Sequence, residues 1–145
     1  MNEEEYLNDR LEKQISWYDN KSMQNQKWFK RLQIFQIAAA TSIPVLVIYI
    51  TDTTPFLRFL NALLGALIAV VSGAIGLYKF QENWLEYRTT CESLRHEKYL
   101  YLTKTDPYNI DSPFPLLVSR VETLISKENT NWAQYMRKVK KDTKQ

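Results

Sequence analysis

Charged positions vanish from two stretches of this chain and crowd the rest of it. From Leu32 to Thr51 (LQIFQIAAATSIPVLVIYIT) and from Phe59 to Tyr78 (FLNALLGALIAVVSGAIGLY) there is no Asp, Glu, Lys or Arg. Each stretch has about the ~20 residues that an α-helix, rising ~1.5 Å per residue, needs to cross a hydrocarbon core. Lipid offers the backbone no hydrogen-bond partners, and two strands cannot close a barrel, so both stretches are predicted to be helical. A helix apolar around its whole circumference for this length suits lipid better than a soluble core. The pattern therefore predicts transmembrane helices at 32–51 and 59–79, joined by an extracytoplasmic loop at 52–58. Thr53, Thr54 and Pro55 favour a turn in that loop, and Pro55 is well suited to start a helix.

Outside these stretches the apolar residues recur at helical spacing. Leu7, Leu11, Ile15, Tyr18, Ser22 and Phe29 form one stripe of an amphipathic helix covering 1–31. Phe80, Trp84, Tyr87, Cys91, Leu94 and Tyr101 form a second over 80–103, with no helix breaker before Pro107. Residues 104–115 are dense in Pro, Asp and Asn and read as a loop. A last amphipathic helix, 116–145, carries Leu117, Val121, Leu124, Ile125, Trp132, Tyr135 and Val139 on its apolar side, and Asp111 or Ser112 is placed to cap it. The expected fold is an all-α membrane protein: a two-span helical hairpin whose helices extend without interruption into a cytoplasmic helical bundle. Two helices leave much surface to lipid, so a homo-oligomer is expected.

Charge sets the orientation rather than the class. The net charge of +3 over 145 residues, without a long basic run, gives no reason to expect a nucleic-acid partner. Lys21, Lys27, Lys30 and Arg31 precede the first span, and Lys79, Arg88, Arg95 and Lys98 follow the second, whereas the loop holds one basic residue, Arg58. Basic residues stay on the cytoplasmic side, so both termini are expected there, in a plasma membrane. The acidic start, Met-Asn-Glu-Glu-Glu, is unlike a signal peptide, which leaves the first span as the targeting signal. Trp28, Phe29, Tyr78, Phe80 and Trp84 fall at the inner boundary as an aromatic belt.

Within the spans, small and polar residues are the candidates for packing and permeation. Gly65, Ala69 and Gly73 recur every four residues, with Gly76 on an adjoining row, and suit close helix approach either within the hairpin or between subunits. Asn61, Gly65, Ser72 and Lys79 share a side of the second helix. They either line a water-filled path or find partners on neighbouring helices. Pro44 removes one backbone hydrogen bond from the first span, and Thr41 and Ser42 are placed to compensate. Asp52, beside Thr51, stands where the first span leaves the membrane. In a symmetric oligomer it would form a carboxylate ring that attracts cations; alone, it is a solvated loop acid near Arg58.

Catalytic chemistry is not expected. His96 is the single histidine and lies in a charged helical string; Cys91, the single cysteine, suits an apolar helix contact. One His and one Cys cannot build a metal constellation, and all three glycines lie in the second span, leaving none for a phosphate loop. No cofactor is expected, with Ca2+ considered only as a permeant ion.

The arms also carry a set of short motifs. Trp17-Tyr18-Asp19, Lys21-Ser22 and Asn25-Gln26 precede the first span; Glu82-Asn83-Trp84, Tyr87-Arg88, Glu97-Lys98, Leu100 and Pro107-Tyr108 follow the second. Together they resemble the SLATT family of bacterial two-span proteins, in its domain-of-unknown-function 4231 branch. Asp106 departs from the pattern, since a Gly often precedes the Pro-Tyr pair there. The resemblance implies a small pore-forming membrane protein, in some settings beside nucleotide-signal-dependent defence modules, and a link to calcium-permeable cation channels. It also implies that the motif residues hold the arms together, with Asp19, Lys21, Glu82, Asn83, Arg88 and Glu97 in one polar network.

Two functions are expected from different classes. One is an oligomeric cation channel, its partners being the bilayer, copies of itself and cations. The other is a membrane-tethered helical scaffold or sensor that binds a cytoplasmic protein.

Overall fold

The computed structural model describes residues 2–50 and 53–142, with 128–142 described by backbone alone. Thr51 and Asp52 lie outside the described residues, as do the side chains of Trp132, Tyr135 and Val139. Among the described residues the chain is helical, with no strand. Helix α1 runs over Glu3–Ile48, α2 over Pro55–Tyr78, α3 over Phe80–Leu102 and α4 over Pro113–Asp142. Both α1 and the α2–α3 stretch are long and apolar enough to cross a membrane. None of the most apolar part of the second is buried, and very little of the first. A soluble core helix would hide that surface.

Local chemistry accounts for where the helices start. Asn2 and Glu5 form a reciprocal cap: the Asn2 side chain accepts from the Glu5 amide at 2.7 Å, and the Glu5 carboxylate accepts from the Asn2 amide. Pro55 occupies the first turn of α2, where its missing N–H costs nothing. In α4 the first turn holds Pro113 and Pro115 for the same reason.

The chain divides into two compact units. The arm unit comprises 2–21 and 86–142. Its core gathers one stripe from each of three helices: Tyr6, Leu11, Ile15 and Tyr18 from α1, Cys91, Leu94 and Tyr101 from α3, and Leu117, Val121 and Ile125 from α4. Tyr108, from the connection before α4, joins them. Fully burying one such Leu contributes about 1.5–3 kcal/mol, so this core is the main source of the unit's stability. A π-type turn over Tyr6–Leu11 widens the start of α1 and shifts its register. It turns Tyr6 inward, with Leu7 only packed against the core's edge, where 3.6-residue periodicity alone places Leu7.

The hairpin unit is residues 22–85. Its helices meet along a narrow seam: half-buried Leu32, Gln36, Ile43 and Leu46 with buried Ala39 on α1, and half-buried Leu60, Leu64, Ile68, Val71 and Ile75 on α2. Three- and four-residue steps of this kind mark two helices packed along one stripe each. The remaining faces are bare, including Ile34, Ile37, Ile48, Phe59, Val70 and Leu77.

The helix is interrupted between α2 and α3, contrary to the continuous rod expected from the absence of Gly and Pro. Lys79 adopts φ 45° and ψ 42°, the left-handed region. For a residue with a Cβ this costs about 1–2 kcal/mol. Two interactions offset it. The Asn83 side-chain amide donates to the Tyr78 carbonyl at 3.0 Å, and Lys79 pairs with Glu82 at 3.0 Å. Two members of the Glu-Asn-Trp motif thus serve the break.

Candidate functional site

Two sets of residues carry candidate function: the polar clusters of the arm unit, and the small and polar residues of the hairpin. In the arm unit, Asp19 projects from α1 between two arginines of α3. Arg88 reaches it at 3.1 Å and Arg95 at 3.1 Å, and both arginines also hold Glu92. Two turns of α1 earlier, Glu12 pairs with Lys98 of α3. Next to the Asp19 cluster, Trp17 packs edge-on against Tyr18 and Tyr87, and the Lys21 ammonium lies 5.7 Å from the Trp17 ring centre. The Cys91 thiol sits beneath this layer, faces the Ile15 carbonyl at 3.6 Å, and is pushed up in pKa by burial.

Glu97 is the one buried carboxylate among the described residues, at 6 % exposure. Arg120 of α4 grips both of its oxygens at 2.6 and 2.8 Å, and the Tyr108 hydroxyl donates to one of them. Those bonds from Arg120 hold the Glu97 carboxyl below the usual carboxylate range, against burial, which acts the other way. Burial raises the Tyr108 phenol, and the adjacent Glu97 raises it further. A mirrored pair ties α4 to α1: Arg10 donates twice to Glu122, at 3.0 and 3.1 Å, and Tyr6 adds a third hydrogen bond. Burial, with Glu122 assisting, pushes Tyr6 up to about 12. On helix α4, Arg120 and Glu122 are thus each matched to an opposite charge on a different helix. The Arg10–Glu122 pair is more than a third exposed, so screening leaves it about 0.2–1 kcal/mol.

The six polar motif residues expected to share one network fall instead into separate groups. Asp19 and Arg88 stand together, Lys21 lies over Trp17, Glu82 and Asn83 serve the Lys79 break, and Glu97 belongs with Arg120 and Tyr108. Helical spacing separates them: about fourteen or fifteen positions on α3 part Asn83 and Glu82 from Glu97, which is about 20 Å of rise. In the hairpin unit, the buried Ser22 hydroxyl donates to the Trp84 carbonyl at 3.2 Å. The Trp84 indole N–H is enclosed without a hydrogen-bond partner among the described residues. Pro107 follows Asp106 through a cis peptide bond. Arg95, Arg120, Arg10 and Tyr6 complete these clusters, and sequence spacing alone does not single them out. Their signal is a polar or oppositely charged group on another helix, visible only once the helices are placed.

A groove of about 680 Å³ beside α3 is lined by Arg88, Glu92, Arg95, His96, Tyr99 and Leu124. Its two arginines already face Asp19 and Glu92, so its positive charge is largely spent inside the protein.

In the hairpin, the Gln36 side-chain amide donates to the Ser72 hydroxyl at 2.7 Å, bridging α1 and α2. Asn61 also lies along the seam, its Oδ1 enclosed with no hydrogen-bond partner among the described residues. Gly65 is half-buried, whereas Ala69, Gly73 and Gly76 are exposed. A Cβ built on Gly65, Gly73 or Gly76 would meet nothing within 4 Å. The small residues therefore do not serve close packing inside the hairpin. The Thr41 and Ser42 hydroxyls donate to the carbonyls of Ile37 and Ala38. These lie before the Ala40 carbonyl, which Pro44 leaves without its usual donor.

The architecture defines an all-α protein with two helices fit to cross a membrane and a helical arm unit built from the segments around them. The family model described as "Protein of unknown function (DUF4231)" matches residues 13–113, and the chain belongs to that family. The match takes in both apolar stretches and the arm motifs and stops at the first residue of α4. No curated protein and no solved structure matches the chain.

Proposed function

We propose that the protein is an integral membrane protein whose hairpins assemble into an oligomeric pore permeable to cations, with calcium a candidate permeant ion and both termini cytoplasmic. The observation that carries this reading is the division of labour on α2. Its seam with α1 is made by Leu60, Leu64, Ile68, Val71 and Ile75, while the space beside Gly65, Gly73 and Gly76 stays open. Small residues gain nothing against lipid but allow another helix to approach closely. The likeness of the arm motifs to the SLATT family supports the pore, since that family is associated with pore formation. Asp52, one per subunit in the segment of sequence between the two apolar stretches, is the proposed source of cation preference.

Purified protein in liposomes should pass cations. Asp52→Asn should lower cation preference, and Asp52→Lys should lower it further or reverse it. Liposomes that stay sealed to every ion contradict the proposal. The second reading, a membrane-tethered scaffold, is favoured by exposed Tyr99, Leu102 and Ile110 in the arm unit. It predicts sealed liposomes and saturable capture of a cytoplasmic protein on that surface.

A further inference from the structure

The hairpin carries a cationic collar that neither the pore nor the arm clusters use. Lys27, Lys30 and Arg31 lie on α1 at spacings of three and four, which sets them on one face, and all three are exposed. None of the three side chains forms an ion pair among the described residues. No carboxylate occurs on the chain from position 20 to 50. The bonds Ser22–Trp84 and Gln36–Ser72 fix α1 antiparallel to the other half of the hairpin. Lys79 therefore stands about level with Trp28, and brings with it Glu82, the one acid at this height. Trp28 is 56 % exposed and Tyr78 65 % exposed beside these cations.

The next turn of the same face of α1 identifies the occupant. Past Lys30 and Arg31 the surface becomes apolar, with Ile34 67 % and Ile37 55 % exposed. A free anion or an acidic peptide would use the cations and leave that apolar surface bare. A lipid with a negative headgroup satisfies both at once, its phosphate at Lys27, Lys30 and Arg31 and its acyl chain along Ile34 and Ile37. We infer that this collar is a binding site for anionic phospholipid, resting on the reading that the apolar stretches lie in a bilayer. Trp28 and Tyr78 contribute amphipathic rings suited to the headgroup zone.

The test uses the full chain with Trp28 as its single tryptophan (Trp17→Phe, Trp84→Phe, Trp132→Phe), reconstituted in vesicles of phosphatidylcholine and phosphatidylglycerol. Quenching of Trp28 is compared when the acyl chains of one lipid or the other are brominated. Phosphatidylglycerol should be preferred about fivefold at low salt, and less at high salt, as expected for a few headgroup-level cations. The K27Q/K30Q/R31Q variant should quench equally with either lipid, while K27R/K30R keeps the preference. A parent protein without preference, or a preference that survives K27Q/K30Q/R31Q, overturns the inference and leaves the collar to a soluble acidic partner. Absence of quenching by either brominated lipid overturns the bilayer reading itself, a result distinct from loss of preference.

Discussion

The arm unit and the hairpin differ in how far one chain satisfies its own surface. In the arm unit, three helices enclose Leu11, Leu94, Leu117 and Val121 completely, and Glu122 and Arg120 of α4 find opposite charges on α1 and α3. In the hairpin, two helices share one seam and leave Ile34, Val70 and Leu77 bare. The arm unit stabilises itself by burial from water, whereas the hairpin gains little from contact within one chain. On the proposed reading, its stability comes from an apolar solvent and from other helices. Substitutions in the two regions should therefore respond to different variables: the first to denaturant and pH, the second to lipid and to assembly.

The largest effect is expected in the arm core. Leu94→Ala removes a side chain with no exposed surface and should destabilise the arm unit by about 2–5 kcal/mol, read as a lower thermal midpoint of the purified protein. A midpoint unchanged by this substitution would erase the contrast, since the arm unit would then not depend on its core.

A smaller effect, with a pH signature, is expected at Glu97. Glu97→Gln weakens the grip of Arg120 and should cost about 1–3 kcal/mol at neutral pH, discounted because the Arg120 side chain is 45 % exposed. The Glu97 carboxyl is held below its ordinary range in the fold. Its contribution is therefore complete above the ordinary carboxylate range and is lost as pH falls through the lowered value. The thermal midpoint of the parent should drop in acid more steeply than that of Glu97→Gln. Parallel pH profiles would mean that the Arg120–Glu97 contact does not hold α4.

In the hairpin the effect of a single bond should be slight. Ser72→Ala removes the hydroxyl that receives Gln36 and should cost only about 0.6 kcal/mol, measured by a steric-trap or force-unfolding assay in bilayers. A loss of several kcal/mol would show the hairpin to be held by its own polar contacts, as the arm unit is.

The two regions are also unequally legible. The apolar stretches announce themselves through missing charge over Leu32–Thr51 and Phe59–Tyr78, a signal that needs no knowledge of neighbours. The stripes led by Ile15, Cys91, Leu94 and Val121 are legible because 3.6-residue periodicity records which face is buried, and all four residues are in the core. The Lys79 break is not legible. Neither Gly nor Pro marks it, and the side chain that compensates, Asn83, lies four residues away in an otherwise helical pattern. The π-type turn at Tyr6–Leu11 escapes for a related reason, because it alters the period being used as the guide. The motif carboxylates Asp19 and Glu97 can be singled out in advance, but not their partners Arg95 and Arg120. Many cations in the arms have equal claim until the helices are packed. The row of Gly65, Ala69 and Gly73, with Gly76 on an adjoining row, is visible as a stripe of small residues, yet the open space beside its glycines emerges only from the packing.

The central claim, that the hairpin's uncovered face is completed by copies of the same chain around a pore, is tested most directly by the mass of the detergent-solubilised particle. Native mass spectrometry of the full chain should find a closed ring of about four or more copies, and Gly73→Leu should reduce it to smaller species with helix content intact. A parent protein that is monomeric or dimeric at every detergent and lipid ratio would contradict the account.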